Sequence, residues 1–574
     1  MKLVIIGGVA GGATAAARAR RMDEHAEIVL FERGEYISFA NCGLPYYIGG
    51  VIEKRGSLLV TTAEDFRNRY RIDVRVFSEV VSIDRKGKEV EARNLLTGDT
   101  YREGYDKIIL SPGAEPAKPA IEGMELENVF TLRTIPDADR IKAIAEAKKP
   151  CSAVIVGAGY IGLEMAENLA RKGIKVTVLE KLDQVLEKLD PEMAVVISGY
   201  LEERGVACRL GSGVKRLDQQ GGLVVVSIDS GKEMLCDMVI VSAGVRPENR
   251  LAREAGLELG RWGGIKVNAL MMTSDPDIFA VGDAVEVRDL VTGLPTMTAL
   301  AGPANRQGRI AADNCAGRRS VYKGTLGTAI VKIFEMTVAS TGASERMLRK
   351  NNIPCCVSYT HSGSHAGYYP GAKMMTIKLV FSPGSGRILG CQIVGMEGVD
   401  KRIDVLSTAI RGSMTVFDLE ELELAYAPPF SSAKDPVNVA GCVAANTLKG
   451  DHDIVHSADL ADFDPEDTVV IDVRDAEDVL ASGIIEGASH IPLNRLRRRI
   501  AKLDRDKRYV LYCDVGLRSY IGHRIMMQNG FKTRNLSGGY KTYLSEQTSG
   551  GRAQEQGCCG QHPGNKNQGK EDFS

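Results

Sequence analysis

Cys42 stands in the segment Ser38-Phe39-Ala40-Asn41-Cys42-Gly43-Leu44-Pro45-Tyr46-Tyr47, and no second cysteine follows within that run. A cysteine without a near partner cannot close an internal disulfide. Its oxidised form must be a sulfenic acid or a mixed disulfide with a small thiol. Cys513 is a second candidate: it follows the apolar run 509–512 (YVLY) and opens the loop Cys513-Asp514-Val515-Gly516-Leu517-Arg518, with Ser519 and a helical stretch after it. At a strand end leading into a helix, backbone N–H groups point inward, lower a thiol's pKa and can hold a persulfide anion. Cys513 therefore reads as a sulfur carrier in an open loop, with Arg518 beside it. Isolated cysteines are commonly buried small hydrophobes, and that reading serves for Cys151, Cys208, Cys236, Cys315, Cys391 and Cys442, while the Cys558-Cys559 pair reads as incidental.

A redox cysteine needs a source of electrons, and two segments could hold a dinucleotide. Residues 153–156 (AVIV) predict a strand, Gly157-Ala158-Gly159-Tyr160-Ile161-Gly162 a glycine turn opening a helix, and Glu180 ends the next strand. Such glycines permit a tight turn and close approach of a pyrophosphate, the helix N-terminus supplies positive partial charge, and the acid takes ribose hydroxyls. Glu180 would repel a 2′-phosphate and favours NADH, with NADPH left open by Lys181. The first loop, Gly7-Gly8-Val9-Ala10-Gly11-Gly12 after residues 2–6 (KLVII), departs from the pattern because Val9 occupies the middle glycine position; Glu32 is still placed for a ribose. Two further stretches, LSPGA (110–114, with Ser111 and Gly113) and SDPDIFAVGDA (274–284, with Asp283), follow in the order expected of a flavoprotein.

These motifs must be carried by several domains, since 574 residues exceed one core and suggest about three to five. The pattern predicts an α/β protein. A discontinuous FAD-binding domain covers 1–115 and 245–320, interrupted by an NAD(P)H-binding domain over 116–244. A β-rich α+β domain follows at 321–447, a polar linker at 448–467, a small α/β unit at 468–547, and a disordered tail at 548–574. A net charge of -1 gives no global field for nucleic acid or an anionic membrane. No apolar run reaches the roughly 18 residues of a membrane span, and the opening residues read as strand, turn and helix rather than a signal peptide. Twelve cysteines without framework spacing or a C-x-x-C point to a reducing, cytoplasmic setting.

With SFANCGLPYY, GGVAGG before it and AYAPPFSSAKDPVN at 425–438, residues 1–447 closely resemble the coenzyme A–disulfide reductases, whose relatives include single-cysteine NADH oxidases and peroxidases and persulfide reductases. The resemblance implies FAD and NAD(P)H as cofactors, coenzyme A bound through Cys42, and a homodimer with 321–447 as its dimerisation domain. It places Gly7, Ala10, Gly11, Gly12, Glu32, Arg33, Val80, Ser111, Gly113, Arg133, Gly157, Gly159, Tyr160, Ile161, Gly162, Glu180, Gly244, Asp283 and Leu300 at the nucleotide sites. It matches Thr14, Arg18, Arg21, Ser38, Asn41, Arg71, Asn305 and Lys434 to coenzyme A contacts, with Tyr70 in place of a family lysine. Arg18 and Arg21, three apart on one helix, also make a cationic face suited to phosphates. Tyr368, with Tyr369 as the alternative, and Tyr426 match tyrosines that protonate a departing thiolate across the dimer.

The C-terminal unit resembles a rhodanese domain through DVRD (472–475), EGASHIPL (486–493) and the six-residue loop at Cys513; it carries Gly483-Ile484-Ile485 where Gly-His-Ile is usual, a histidine read as structural. The Arg-rich run 495–508 reads as a solvated face. Together the resemblances imply an NAD(P)H-dependent reductase of coenzyme A persulfide, polysulfide and coenzyme A disulfide, fused to a sulfurtransferase. A main activity on coenzyme A disulfide, an oxidase or peroxidase cycling Cys42 through sulfenic acid, and a redox-sensing docking scaffold are the alternatives.

Overall fold

The computed structural model describes residues 1–147 and 151–557. Its first sheet has the order Ile278–Ala280, Lys107–Leu110, Lys2–Ile6, Glu27–Phe31, Asp73–Arg75, all parallel. Leu3, Val4 and Ile5 are fully buried, as expected of parallel strands covered on both faces. A second parallel sheet repeats the plan: Ala207–Arg209, Lys175–Leu179, Ser152–Val156, Met238–Val241, Val129–Phe130. The chain passes between the two through an antiparallel ribbon pairing Ala114–Pro116 with Val245–Pro247. It then completes the first sheet with Ile278–Ala280 and lays the helix Ala301–Cys315 along the helix Ala10–Met22. The first sheet is thus interrupted in sequence by the second and completed after it.

A third sheet is antiparallel, in the order Ala329–Ile333, Met336–Gly342, Ile388–Gly395, Met374–Phe381, Cys356–Gly363, with the helices Val399–Arg411 and Pro436–Leu448 packed on it. The fourth is parallel: Ile454–Val455, Lys532–Leu536, Arg508–Tyr512, Thr468–Asp472, Ser489–His490.

Two sequence boundaries need correction. The stretch expected to be a linker over 448–467 contains an edge strand, Ile454–Val455, paired with Asn535 and Leu536, and a short helix over Ser457–Asp462. Its polarity reflects a sheet edge, where one flank faces water. Residues 548–557 of the expected tail belong to the helix Gly539–Gly557. The remainder of that expectation, with Cys558 and Cys559, lies outside the described residues.

The C-terminal unit is fixed to the rest. Its helix Gly539–Gly557 packs on the helix Pro191–Glu203, and Tyr359 N donates to Ser537 Oγ at 3.3 Å. His361 bridges Thr376 and Thr542 at 2.9 and 3.0 Å. Beside this seam the buried Lys378 ammonium lies 2.8, 2.6 and 2.7 Å from Asp190, Glu192 and Glu345. Those three carboxylates have the spacing of a cation site, but the lysine supplies the positive charge. Removing Lys378 would leave Asp190 and Glu192 without their counter-ion, while Glu345 keeps Arg349, a loss of roughly 3–5 kcal/mol. No helix among the described residues is long and apolar enough to cross a membrane.

Candidate active site

The two glycine turns superimpose residue for residue in their bonding. Gly7 N donates to Phe31 O and Gly157 N to Leu179 O, each at 2.8 Å. A Cβ on Gly7 would come 2.1 Å from Ser111 O, and one on Gly157 2.6 Å from Ser242 O. On Gly12 and Gly162 it would come 1.8 and 2.0 Å from the carbonyls of Gly7 and Gly157. Only glycine fits four such positions. The strand-end acids match as well. Glu32 accepts from Gly8 N and Gly34 N, both at 2.8 Å, and Glu180 from Ala158 N and Leu182 N at 2.7 and 2.9 Å.

Val9 is tolerated because its backbone has φ -92°, as Gly159 has φ -78°; neither needs the left-handed region. Gly159 meets nothing within 4 Å, so the second turn is open to a pyrophosphate. Both turns are thus built to carry a dinucleotide, with an acid at each ribose end, and FAD in the first and a nicotinamide nucleotide in the second fit the residues present.

One cleft of about 1300 Å³ joins the turns, and Cys42 lines it between them. It also takes in Ala10, Gly11, Arg33, Asn41, Val80, Ser111, Gly113, Arg133, Tyr160, Ile161, Gly244, Asp283 and Leu300. Gly12 and Gly162 lie behind the turns. Asp283 is raised to about 6 by burial, against the pull of Arg133, and its turn is held by Gly282 N donating to Gln307 Oε1 at 2.8 Å. Across the mouth, Glu115 receives Arg33 at 2.9 Å and Arg133 at 3.2 Å. Burial alone would raise Glu115; hydrogen bonds from Arg33 and from Glu248 hold it low, while Glu248 is pushed up by burial and by Glu115. Glu115, Glu248 and Gln307 had no motif to announce them.

Cys42 sits in the short turn Asn41–Gly43, immediately before the helix Leu44–Gly49. Leu44 and Ile48 bury that helix, and Gly49 lets it press on the helix Tyr160–Arg171, since a Cβ there would be 2.2 Å from Asn168 Oδ1. Tyr47 OH donates to Asp139 at 3.1 Å, Arg55 to the same carboxylate at 2.9 Å, and Lys142 to Tyr47 O at 3.1 Å. Ser38 N donates to Gly8 O at 2.9 Å, tying the cysteine segment to the first turn. Cys42 is accessible from the cleft, yet the protein mass around it, then Glu164 and Asp283, push its thiol up.

The expected coenzyme A contacts divide. Thr14 OH donates to Asn305 Oδ1 at 2.9 Å, so those two meet. Arg18 does not form a free cationic face with Arg21: its Nε lies 2.6 Å from Asp313, in a half-buried pair, and only Arg21 remains exposed. Burial would raise Asp313, and Arg18 with Ser320 holds it below the usual range. Arg71 caps the helix Ala63–Tyr70 with φ 48° and pairs with Glu24 at 3.3 Å, while Tyr70 packs on Phe66.

Tyr368 and Tyr426 share a hydroxyl–hydroxyl hydrogen bond of 2.5 Å and are 74% and 47% exposed, outside the cleft of their own chain. Tyr369 instead stacks its edge on His365. Both tyrosine loops hang on the buried Arg402, which donates to Ser364 O and to Asp435, each at 2.9 Å. Lys434, beside Asp435, is exposed.

In the C-terminal unit Cys513 is 0% exposed, which corrects the expectation of an open loop. Gly516 N donates to its Sγ at 3.2 Å and Ser519 OH at 3.4 Å. Tyr540 N, donating to Cys513 O at 2.8 Å, closes the far side. Arg518 is paired with Asp475 and Asp478 at 3.0 and 2.7 Å. Ile484, at the position where a histidine is usual, is exposed, and the next residue, Ile485, is buried with its N–H donating to Tyr512 OH at 3.0 Å.

Residues 1–308 match the family model described as pyridine nucleotide-disulphide oxidoreductase. The chain belongs to that family. This oxidoreductase also matches the family's dimerisation domain at 328–436 and a rhodanese-like domain at 458–546. It is 37% identical over 441 residues to a coenzyme A disulfide reductase of Staphylococcus aureus, covering 77% of this chain and 99% of that one. Among solved structures it is similar to reduced Bacillus anthracis CoADR-RHD, with TM-score 0.93 and 48% identity over 96% of this chain and 98% of that one. It is likewise similar to an NAD-dependent persulfide reductase from A. fulgidus, with TM-score 0.88 and 40% identity over 95% and 100%. The oxidoreductase therefore joins a cleft lined by two dinucleotide turns to a rhodanese-like domain in one chain.

Proposed function

We propose that this chain reduces coenzyme A persulfide, polysulfide and coenzyme A disulfide at Cys42 with electrons from NAD(P)H, while its C-terminal domain hands on sulfane sulfur through Cys513. The observation that carries the reading is Cys42, with no cysteine partner among the described residues, in a cleft that both glycine turns line. Gly7, Gly11 and Glu32 at the first turn would hold FAD, and Gly157, Gly159 and Glu180 at the second would hold the nicotinamide nucleotide, which together would supply an electron pair to a disulfide at Cys42.

The rest falls to the chain's own groups. The Cys42 thiolate attacks the coenzyme A-bound sulfur of a persulfide; a Cys42–coenzyme A disulfide forms, the sulfur–sulfur bond of the persulfide breaks, and HS⁻ leaves. With coenzyme A disulfide the same attack expels coenzyme A thiolate. Reduction of the mixed disulfide then frees coenzyme A and restores the thiolate. Tyr368 and Tyr426 of the partner subunit protonate the departing thiolate; a phenol pair joined by a short hydrogen bond and exposed on a dimerisation domain suits that task. At the other centre, a sulfane sulfur on Cys513 accepts hydrogen bonds from Gly516 N and Ser519 OH until coenzyme A thiolate attacks it, giving coenzyme A persulfide and free Cys513. Because Cys513 is sealed, that loop must open for each transfer.

Mass spectrometry of the acid-denatured oxidised protein tests the reading. A coenzyme A adduct on the Cys42 peptide, released by reductant, is the expected result. A sulfenic or sulfinic acid at Cys42 without coenzyme A, together with oxygen-dependent NADH consumption, would replace it by an oxidase or peroxidase.

A further inference from the structure

Beside Cys513 runs a chain of hydrogen bonds that the sulfur transfer itself does not use. Gly516, whose N–H donates to Cys513 Sγ at 3.2 Å, has φ 97° and opens the helix Leu517–Gln528. Its carbonyl accepts from Tyr520 N at 3.0 Å, Ser519 OH at 3.1 Å and Asn535 Nδ2 at 3.2 Å. The first two donors belong to the helix the glycine opens, and the third comes from the strand Lys532–Leu536. The same Asn535 nitrogen lies 2.7 Å from His452 Nε2, and both side chains are buried. An amide nitrogen only donates, so Nε2 is the unprotonated nitrogen of His452 and Nδ1 carries the proton. The ring also hydrogen-bonds the backbone of Val443, on the helix Pro436–Leu448 that packs on the third sheet.

His452 is kept neutral. Burial, then His523 and Arg524, lowers it to about 4 despite the bond to Val443. Tyr520 meets the ring edge-on at 4.7 Å. The neighbouring acids point to other cations, Asp451 to Arg524 at 2.7 Å and Asp453 to Arg534 at 3.4 Å, and His523 Nε2 accepts from Asp453 N at 3.4 Å. The Asn535 amide is also turned against its own interest, because its Oδ1 is buried with no partner among the described residues. Turning it over would set that oxygen against the Gly516 carbonyl, acceptor to acceptor. A buried oxygen left unpaired marks an amide fixed by what its nitrogen holds.

We propose that His452 is a positioning residue for the Cys513 centre: its Nε2 orients the Asn535 amide, which holds Gly516 with its N–H aimed at the Cys513 sulfur. The significance of that sulfur rests on the reading of Cys513 as the sulfur carrier. A protonated His452 would turn an N–H toward the Asn535 N–H, and a residue without an acceptor there would free the amide to turn over. Either change takes one donor from the Gly516 carbonyl and loosens the loop that closes over Cys513. Through Val443 the same ring ties that loop to the helix Pro436–Leu448, so the Cys513 centre is aligned from outside its own domain.

The test is the rate at which iodoacetamide alkylates Cys513 in the folded, flavin-loaded enzyme, followed on the Cys513 peptide, since a sealed sulfur reacts only when its loop opens. His452→Phe keeps a ring against Tyr520 and removes both nitrogens; alkylation should rise about fivefold, as the loss of one hydrogen bond predicts. His452→Gln returns an amide oxygen toward Asn535 and should restore most of the protection, a rescue that a histidine serving only to fill space would not show. Asn535→Asp, equal in size but without a donor, should expose Cys513 at least as much as His452→Phe. Should Asn535→Asp fail to fold, the two His452 variants decide. A wild-type alkylation rate in His452→Phe, or a His452→Gln as reactive as His452→Phe, would overturn the proposal. Alkylation requires no sulfur transfer. A wild-type Cys513 that gains no sulfur mass from polysulfide, in an enzyme whose His452 variants respond as predicted, would refute the sulfur-carrier reading and leave the positioning role standing.

Discussion

Cys42 and Cys513 both stand in a turn that enters a helix, and their surroundings differ in almost every other respect. Cys42 is reached from a wide cleft, with the carboxylates of Glu164 and Asp283 as its charged neighbours. Cys513 is fully buried, and hydrogen-bond donors from Gly516 and Ser519 surround its sulfur. The first arrangement makes an anion costly and leaves the sulfur open to a disulfide partner, which suits a sulfur that cycles between disulfide and thiol. The second holds an anionic sulfur in place and excludes water, which suits a carried persulfide. On the proposed function the same residue type serves electron transfer in one domain and atom transfer in the other, and its surroundings set the difference.

Cys513→Ser should separate the two most sharply. Sulfide release from polysulfide or thiosulfate should be lost, while reduction of coenzyme A disulfide and of small preformed persulfides continues near the wild-type rate. If every donor is turned over equally by both proteins, the C-terminal domain is a docking module.

Tyr426→Phe should act on the Cys42 side alone. Loss of a general acid predicts roughly hundredfold slower release of the thiol, with hydride transfer from NADH unchanged, and rapid mixing resolves the two steps. Equal slowing of both would place Tyr426 in packing rather than proton transfer.

Gly49→Ala inserts a methyl group against Asn168 and should destabilise the cysteine helix by about 1–3 kcal/mol. Disulfide turnover should fall, and sulfur transfer at Cys513, assayed in the same preparation, should not. Parallel loss of both activities would mean that the two centres share one folding unit.

The smallest effect concerns the nucleotide. Glu180, fixed by two backbone N–H groups at the end of its strand, should favour NADH over NADPH by about tenfold in kcat/KM, or about 1.4 kcal/mol. A preference of that size for NADPH would show that Lys181 dominates.

The parts of this account legible in the sequence are those encoded locally. Gly157-Ala158-Gly159-Tyr160-Ile161-Gly162 with Glu180, the lone Cys42, and the Cys513 loop all declare themselves within a few residues, because one strand, turn and helix supply the whole device. Contacts made across the chain were not legible. Tyr46 and Glu164 belong to different domains, Arg402 ties together two loops distant in sequence, and Arg18 loses its apparent freedom to Asp313 on another helix. The edge strand at Ile454–Val455 escaped because two residues carry too little pattern, and its pairing is set by Asn535 and Leu536 far downstream. Burial of Cys513 escaped for the same reason, since the segment that closes over it, at Tyr540, comes after a strand and a helix.

The central claim, that electrons leave the cleft through Cys42, is tested most directly by Cys42→Ser under anaerobic rapid mixing. NADH should bleach the flavin absorbance of wild type and variant alike. On subsequent addition of coenzyme A persulfide or coenzyme A disulfide, the wild type should regain its oxidised flavin spectrum and release sulfide or thiol, whereas the variant should stay reduced. Reoxidation of the Cys42→Ser flavin by these substrates at the wild-type rate would contradict the account.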